Sequence, residues 1–323
     1  MPISTEDATR FAQTFAGLVD GVSVALLDKV PTIRLALTTM LAGGHLLLED
    51  APGTGKTALA RAMAAVISGS HSRIQFTPDL LPSDITGVSM YDQKTGEWGF
   101  HAGPVFAQIV LADEINRASP KTQSALLEVM EESQVTVGGT TYPAPRPFMV
   151  MATQNPVEQA GTYPLPEAQL DRFLLKLELP LPGRDAEFGI VKRHRDGFNP
   201  LALADAGVRP VASPADIAAA RGAAARVDVS DTVLAYLVDV CRATRESPSV
   251  RLGASPRGAT ALLRTTRVWA FLQGRGFATP DDVKAMAAPT LAHRIGLRAE
   301  ADLEGLTAAR VVEGVLAQVP VPR

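Results

Sequence analysis

Short apolar runs alternate with segments of helical periodicity along the first half of the chain. The runs predict strands at 45–49, 73–76, 108–112, 148–153 and 173–179. Helix-forming segments at 56–67 and 120–132 lie between them, and a helical region covers residues from about 5 to 42. Since buried apolar strands that alternate with helices are typical of a parallel sheet covered on both faces, the pattern predicts an α/β fold.

Two segments depart from this rhythm and predict inserted β-hairpins. They comprise 88–91 with 97–100 around Lys94-Thr95-Gly96, and 134–137 with 140–142 around Gly138-Gly139. The plain interpretation is a pair of edge hairpins. We favour contacts with a partner or a pore, because Trp98 and Phe100 are costly to expose without a purpose.

The composition becomes alanine-rich and helical after Gly183. We therefore predict a core domain over 1–183, including the N-terminal helices, and a small all-α domain over 184–323. Helix starts are indicated by Ser213-Pro214 and Thr279-Pro280. One helix face is predicted from residues spaced i, i+3, i+4 and i+7, namely Leu234, Leu237, Val238 and Cys241.

Composition narrows the classes of function. The chain has 323 residues, 46% of them hydrophobic, and a formal net charge of −3 without a Lys/Arg-rich block. We therefore expect no nucleic-acid partner. Cys241 is the single cysteine and is predicted to be a buried apolar residue of a reducing compartment. No targeting pattern or membrane-length apolar run occurs, so we expect a cytoplasmic protein without membrane insertion.

The most specific chemical signal follows the first predicted strand. Gly-Lys-Thr ends a glycine-containing loop and opens a helix, although Asp50 stands where the strict phosphate-loop pattern has its first glycine. Such a loop surrounds a phosphate with backbone N–H groups and a lysine charge. The predicted contacts are Ala51, Pro52, Gly53, Thr54, Gly55, Lys56, Thr57 and Ala58.

Two acids close the strand at 108–112. At the carboxyl end of a parallel strand, Asp113 and Glu114 would face the ligand crevice beside the loop. We predict that Asp113 and the Thr57 hydroxyl hold Mg²⁺ and that Glu114 orients the attacking water, since phosphoryl transfer needs a metal and a positioned nucleophile.

Two further polar residues are candidates for contact with the terminal phosphate. Asn155 follows the next strand, although Asn155-Pro156 is also an ordinary turn signal. Arg257 occupies the first turn of a predicted helix, where a cation opposes the helix macrodipole. A bound phosphate would offset this cost; the alternative is a solvated arginine.

Taken together, these residues resemble an AAA+ ATPase, and specifically the MoxR family, over about 43–296. The stretches that are more specific to MoxR-like proteins are 75–87, 113–118, 152–156, 165–173 and 253–257. The resemblance implies a P-loop core with a parallel sheet sandwiched by helices, two inserted hairpins and a small helical lid. It also implies ATP and Mg²⁺ as ligands.

The resemblance assigns roles to individual residues. Asn155 matches the sensor-1 position, Arg172 the arginine finger that reaches the nucleotide of a neighbouring subunit, and Arg257 sensor 2. The alternative for Arg172 is a local ion pair with Asp171 or another nearby carboxylate. A hexameric ring and a separate partner protein with a von Willebrand factor A domain are implied as well.

The function that follows from the resemblance is that of a ring-forming, chaperone-like remodelling ATPase. It would act on a partner protein or on the maturation of its metal or cofactor. The alternatives are a nucleotide-gated binding module with little turnover and another motor of the same clade, such as a chelatase subunit. One stretch departs from the family, because 26–31 replaces the usual apolar segment ending in Gly-Gln, which leaves the adenine contacts open.

Overall fold

The computed structural model describes residues 3, 5–50, 53–94, 96–154 and 161–322. The helices are α1 (Thr5–Ser23), α2 (Val30–Leu41), α3 (Lys56–Val66), α4 (Pro82–Thr86), α5 (Pro120–Glu132), α6 (Glu167–Leu170), α7 (Arg184–Arg195), α8 (Pro214–Ala224), α9 (Asp231–Glu246), α10 (Pro256–Leu272), α11 (Pro280–Leu291), α12 (Ala299–Leu303) and α13 (Ala308–Gln318). The strands are β1 (Leu46–Asp50), β2 (His71–Gln75), β3 (Gly87–Asp92), β4 (Glu97–Ala102), β5 (Ile109–Asp113), β6 (Gln134–Val137), β7 (Thr140–Pro143), β8 (Met149–Gln154), β9 (Leu175–Leu179), β10 (Val250–Leu252) and β11 (Gly296–Leu297). Short 3₁₀ turns cover Ile115–Arg117 and Ala292–Arg294.

A parallel sheet forms the centre of the fold. Within the described residues it has five strands in the order β2-β5-β8-β1-β9, and the pairs β1–β8, β5–β8 and β2–β5 are parallel. Every residue of β5 is buried, as expected of an inner strand covered by helices on both faces. The predicted α/β architecture is therefore confirmed, and the carboxyl ends of β2, β5 and β8 meet at one edge.

Both predicted hairpins are present, as the antiparallel pairs β3–β4 and β6–β7. Trp98 is 72% exposed and pairs across the hairpin with Tyr91. Phe100, in contrast, stacks on Tyr142 of the second hairpin with ring centroids 4.0 Å apart. The expectation that Phe100 is exposed was wrong, because the two hairpins cover it between them.

The chain divides into two compact units. An α/β unit comprises Gly17–Leu165 and Leu177–Ile217, and a helical unit comprises Met1–Ala16, Pro166–Lys176 and Ala218–Arg323. These limits differ from the predicted boundary at 183, because residues after it pack on the α/β unit: the Val211 N–H donates to the Val66 carbonyl at 2.8 Å. The domain limits 1–183 and 184–323 stay a prediction.

Two helices of the helical unit begin at capping side chains, and one of them is the predicted start at Thr279-Pro280. Ser255 accepts a hydrogen bond from the Gly258 N–H at the start of α10, and Thr279 forms a capping box with Asp282 at α11. Across the described helices, none combines the length and the apolar character needed to cross a membrane.

The buried face of α9 differs in part from the prediction. The residues of α9 that are buried are Val233, Tyr236, Leu237, Val240, Cys241 and Thr244. Val238 was wrongly assigned to this face and is 47% exposed, because the packed stripe is rotated towards Val233 and Tyr236. Cys241 is buried as predicted, and burial raises the pKa of its thiol to about 11.

Candidate functional site

The loop after β1 is shaped by glycines in left-handed conformations. Gly53 has a φ of 84°, and Gly55 has a φ of 99° and caps α3. A Cβ atom on Gly55 would lie 2.5 Å from Cδ1 of Leu26, so the position favours glycine for space as well as for backbone conformation. The loop delivers the chain to the N-terminus of α3, where the N–H groups of the first turn and the macrodipole favour an anion. Ala51 and Pro52 lie outside the described residues.

The loop lysine meets the first acid of β5. Lys56 Nζ lies 3.9 Å from Asp113 Oδ1, and the two side chains are 15% and 9% exposed. Thr57 follows Lys56 in the first turn of α3. Parallel strand order thus brings residues from two separate motifs to the same edge of the sheet, as the sequence predicted for Lys56 and Asp113.

Asp113 is held by partners from both neighbouring strands. The Thr153 hydroxyl of β8 donates to Oδ1 at 2.7 Å. The Arg73 guanidinium of β2 donates to Oδ2 through Nη2 at 2.6 Å and through Nε at 3.2 Å. The carboxylate is therefore oriented on both oxygens, with the cationic groups of Lys56 and Arg73 on either side.

Glu114, the first residue after β5, has a strained backbone conformation. Its φ and ψ of 57° and 50° are left-handed, and its N–H donates to the Thr153 hydroxyl at 2.8 Å. Its Oε2 accepts hydrogen bonds from Gln75 Nε2 and from Arg117 Nη1, each at 2.9 Å. The turn places the second carboxylate where it accepts hydrogen bonds from β2 and from the 3₁₀ turn that follows β5.

Four residues of this network were missed at the sequence level: Arg73, Gln75, Arg117 and Thr153. Arg73 Nη2 donates to Gln75 Oε1 at 2.6 Å, which links the surroundings of Asp113 to those of Glu114. A signal existed, because Arg73 and Gln75 are spaced i, i+2 on a strand and so share one face. This spacing alone does not indicate which residues the two side chains contact. The strand register answers that question, because it places Gln75 beside Asp113.

The residues present fit a magnesium ion that is shared with a ligand. Among the residues that the structure describes, no group of three or more His, Cys, Asp or Glu side chains could hold a metal by itself. Mg²⁺ is commonly bound by one or two protein oxygens together with water and substrate phosphates. The Asp113 carboxylate and the Thr57 hydroxyl provide oxygens of that kind beside the loop.

A cavity of about 190 Å³ opens beside the loop. Its lining comes from three segments of the α/β unit: Ala25, Leu26, Leu27 and Lys29; Gly53, Thr54, Gly55 and Ala58; and Pro182, Ile190, Arg193, His194, Phe198 and Pro200. Apolar side chains and one aromatic ring predominate, with a few polar groups, as is usual in a pocket for an organic ligand.

The first and last of these segments are tied together by side chains. Lys29 is buried, and its Nζ donates to the Pro180 carbonyl at 2.5 Å. Arg193 Nη1 donates to the Val24 carbonyl at 2.6 Å. The segment 26–31, whose role was open at the sequence level, thus contributes to the cavity wall. The contributions of 182–200 were not predicted.

The remaining candidates lie elsewhere. Arg172 follows α6 and Arg257 stands in the first turn of α10, both within the helical unit. The predicted cost of a cation at this position is offset by a carboxylate of the chain itself, since Arg257 Nε lies 3.4 Å from Asp171 Oδ2. Asn155 lies outside the described residues.

Comparison with known proteins agrees with this arrangement. The ATPase family associated with various cellular activities (AAA) matches residues 45–175, and the AAA lid domain matches residues 242–315. A crystal structure of a proposed ATPase from Cytophaga hutchinsonii superposes with a TM-score of 0.90 at 38% identity, covering 98% of both chains.

Relatives of similar length are known in several bacteria. The chain is 46% identical to protein YeaC of Bacillus subtilis, named as uncharacterised, over 94% of this chain and 93% of that one. It is 41% identical to chaperone MoxR1 of Mycobacterium tuberculosis, over 100% and 86%. It is 34% identical to protein MoxR of Paracoccus denitrificans, over 97% and 96%. The phosphate loop, the acids that close β5, the helical lid and these full-length similarities together show that the chain belongs to the MoxR family of AAA+ ATPases.

Proposed function

We propose that this protein hydrolyses ATP in a site built around Lys56 and Asp113. Lys56 and the N-terminus of α3 bind the phosphates, Thr57 and Asp113 hold Mg²⁺, and Glu114 orients the attacking water. Mg²⁺, when bound, neutralises charge that develops on the transferred phosphoryl group. The observation that carries the proposal is the 3.9 Å contact between Lys56 and Asp113 beside the glycine loop.

Replacing the second acid tests the proposal directly. Glu114→Gln keeps the shape of the side chain but cannot accept a proton from water. We expect ATP binding to persist and turnover to fall by about 10²- to 10⁴-fold. Glu128→Gln, an exposed acid of α5, is the matched control and should retain full activity. Near-normal turnover of Glu114→Gln would contradict the role of this carboxylate.

We further propose that the sites are completed in a ring, with Arg172 reaching the nucleotide of a neighbouring copy. Arg172→Ala should bind nucleotide without turnover, and Lys56→Ala should bind poorly. Mixing them creates sites with an intact loop from one copy and an intact arginine from the other, so activity should partly return. The double variant Lys56→Ala/Arg172→Ala should not rescue either one. Absence of rescue in assembled mixtures would argue for action within one chain.

The cavity beside the loop is proposed to take the nucleotide base. Ala58→Leu adds bulk on the loop-facing side of α3 and should weaken ATP binding. Ala65→Leu makes the same change on the same helix, away from the cavity lining, and should leave binding unchanged. Equal affinities of both variants for ATP would exclude the cavity as the base site.

One observation favours the alternative of a nucleotide-gated module with little turnover. Gln75 Nε2 and Arg117 Nη1 both donate to Oε2 of Glu114, so this oxygen would have to give up a hydrogen bond to accept one from the attacking water. An ATPase assay over a range of protein concentrations distinguishes the two, since ring assembly depends on concentration. A chelatase-type motor remains the other alternative.

The cellular role is proposed from the family. Relatives named as a chaperone and as MoxR support a chaperone-like remodelling function, with a separate von Willebrand factor A domain protein as partner. The hexameric state, this partner and a cytoplasmic location stay predictions. A pull-down with Glu114→Gln in the presence of ATP would identify the partner, because the variant should dwell in the ATP-bound state.

A further inference from the structure

A second carboxylate, Asp171, lies between two arginines of the helical unit. Its Oδ1 accepts a hydrogen bond from Arg294 Nε at 2.7 Å, and its Oδ2 lies 3.4 Å from Arg257 Nε. The partners differ in their surroundings, since the side chain of Arg294 is 4% exposed and that of Arg257 is 53% exposed. One oxygen therefore contacts the interior, and the other faces a half-exposed cation.

The buried arginine also holds the backbone of the turn that carries Arg172. Its Nη2 donates to the carbonyl oxygens of Asp171 at 3.1 Å and Phe173 at 2.7 Å, and its Nη1 donates to that of Leu174 at 3.1 Å. Burial lowers the pKa of Arg294, and the Asp171 carboxylate opposes this shift. With the Thr290 carbonyl as a further acceptor, this buried cation is satisfied by a carboxylate and four carbonyls and forms a rigid anchor.

The exposed arginine depends on the same carboxylate. Arg257 stands in the first turn of α10, where the helix macrodipole disfavours a positive charge. Asp171 supplies the compensating charge from the Nε side of the guanidinium. Contact at Nε restricts the direction in which the guanidinium points, which matters for a group that recognises a planar or tetrahedral anion.

We propose that Asp171 is a positioning residue that fixes Arg257 and, through its own backbone, Arg172 as one cationic pair for the terminal phosphate of ATP. The inference rests on the proposed function, in which Arg172 contacts the nucleotide of a neighbouring copy, and it adds Arg257 to that contact. Arg294 holds Asp171 in place. Asp171 in turn fixes Arg257 through its side chain and Arg172 through the backbone.

The experiment compares steady-state ATP hydrolysis in the full-length chain. Asp171→Asn keeps an oxygen for Arg294 but removes the charge that holds Arg257. We expect kcat to fall by about 10- to 100-fold, because a misplacement of about 1 Å costs this much, with KM for ATP nearly unchanged. Asp171→Glu restores the charge and should recover part of kcat. Glu167→Gln, which breaks the neighbouring exposed ion pair with Arg251, is the matched control and should keep kcat.

A double-mutant cycle separates positioning from general damage. If Asp171 acts through Arg257, Asp171→Asn should reduce kcat no further in the Arg257→Ala background. Unchanged kcat in Asp171→Asn, or additive losses in the double variant, would overturn the proposal. If Asp171→Asn does not fold, Asp171→Glu provides the test. Failure of Asp171→Glu to recover kcat, compared at equal concentrations of folded protein, would also contradict the proposal.

The outcomes also separate this inference from the proposed function. If Arg257→Ala lowers kcat and Asp171→Asn does not, only the positioning role fails. A wild-type protein without ATP turnover, or an Arg257→Ala variant of full activity, would overturn the proposed role of the arginines and the inference with it.

Discussion

Two carboxylates, Asp113 in the α/β unit and Asp171 in the helical unit, are each bracketed by two cations. In both cases one cationic side chain is half exposed: Arg73 at Asp113 and Arg257 at Asp171. The more buried cations differ. Lys56 approaches Asp113 only to 3.9 Å, whereas Arg294 donates to Asp171 at 2.7 Å and to several carbonyls as well.

The difference distinguishes a carboxylate whose cation can be released to a ligand, Asp113, from one whose cation must stay in place, Asp171. A loose lysine contact can be replaced by a phosphate at little cost, because few hydrogen bonds are given up. A buried guanidinium that donates to a partly buried carboxylate and to four carbonyl oxygens cannot leave without stranding those oxygens. The first carboxylate is thus suited to ligand binding, and the second to holding a shape.

The largest effect should come from removing the buried anchor. Arg294→Met leaves Oδ1 of Asp171 and the carbonyl oxygens without their donor, and we expect a loss of about 3–5 kcal/mol in the free energy of unfolding. Urea denaturation provides the measurement. Arg310→Met, which breaks an exposed ion pair with Glu313, should change it by less than about 1 kcal/mol. A similarly small loss for Arg294→Met would remove the contrast between the two carboxylates.

The matching change at Asp113 should cost less. Arg73→Met removes two hydrogen bonds to Asp113, but the arginine is half exposed and its charge is screened by solvent. We expect a loss of about 1 kcal/mol in the free energy of unfolding. Asp113 keeps the Thr153 hydroxyl as a donor in this variant. A loss equal to that of Arg294→Met would show that both carboxylates serve the fold alike.

An effect that is absent at neutral pH concerns the acid sensitivity of the helical unit. His293 is buried with Nε2 2.9 Å from the Phe173 carbonyl, and burial, together with the charge of Arg294, lowers its pKa well below the usual range. Below pH about 6.5 the unfolded chain gains a proton that the folded chain does not. Stability should therefore fall with decreasing pH, by at most about 1.4 kcal/mol per pH unit for this group.

His293→Gln should reduce that slope, whatever its effect on stability at neutral pH. His101→Gln, on the exposed β4 strand, is the control and should leave the slope unchanged. Hydrogen exchange at pH 5 should show faster opening in the helical unit of the wild type than in the α/β unit. An unchanged slope in His293→Gln would place the acid sensitivity elsewhere.

The sequence allowed the α/β fold and the phosphate loop to be predicted because their signals are local. Strand periodicity, the glycines before Lys56 and the acids after β5 each lie within a few neighbouring residues. The partners of Asp113 were harder to predict, since Arg73 is specified only by strand register.

The arrangement around Asp171 could not be predicted from such local signals. Asp171 and Arg294 are 123 residues apart, and nothing in either local sequence indicates that they pair. Arg257 was identified by its unfavourable place in a helix, but the charge that offsets it was assigned to a ligand rather than to Asp171. The same limit applies to Phe100, whose cover comes from Tyr142 in another hairpin.

The helical unit is built from separate segments of the chain, which imposes an order on its folding during synthesis. The turn that carries Arg172 is translated 123 residues before Arg294. At ordinary translation rates of 5–20 residues per second, this delay is roughly 6 to 25 s. During that interval the segment 166–176 has emerged without its anchor, while most of the α/β unit is already available to fold. The helical unit is therefore completed only after the segment that carries Arg294 has been made, and a nascent chain stopped before Arg294 lacks a fixed Arg172.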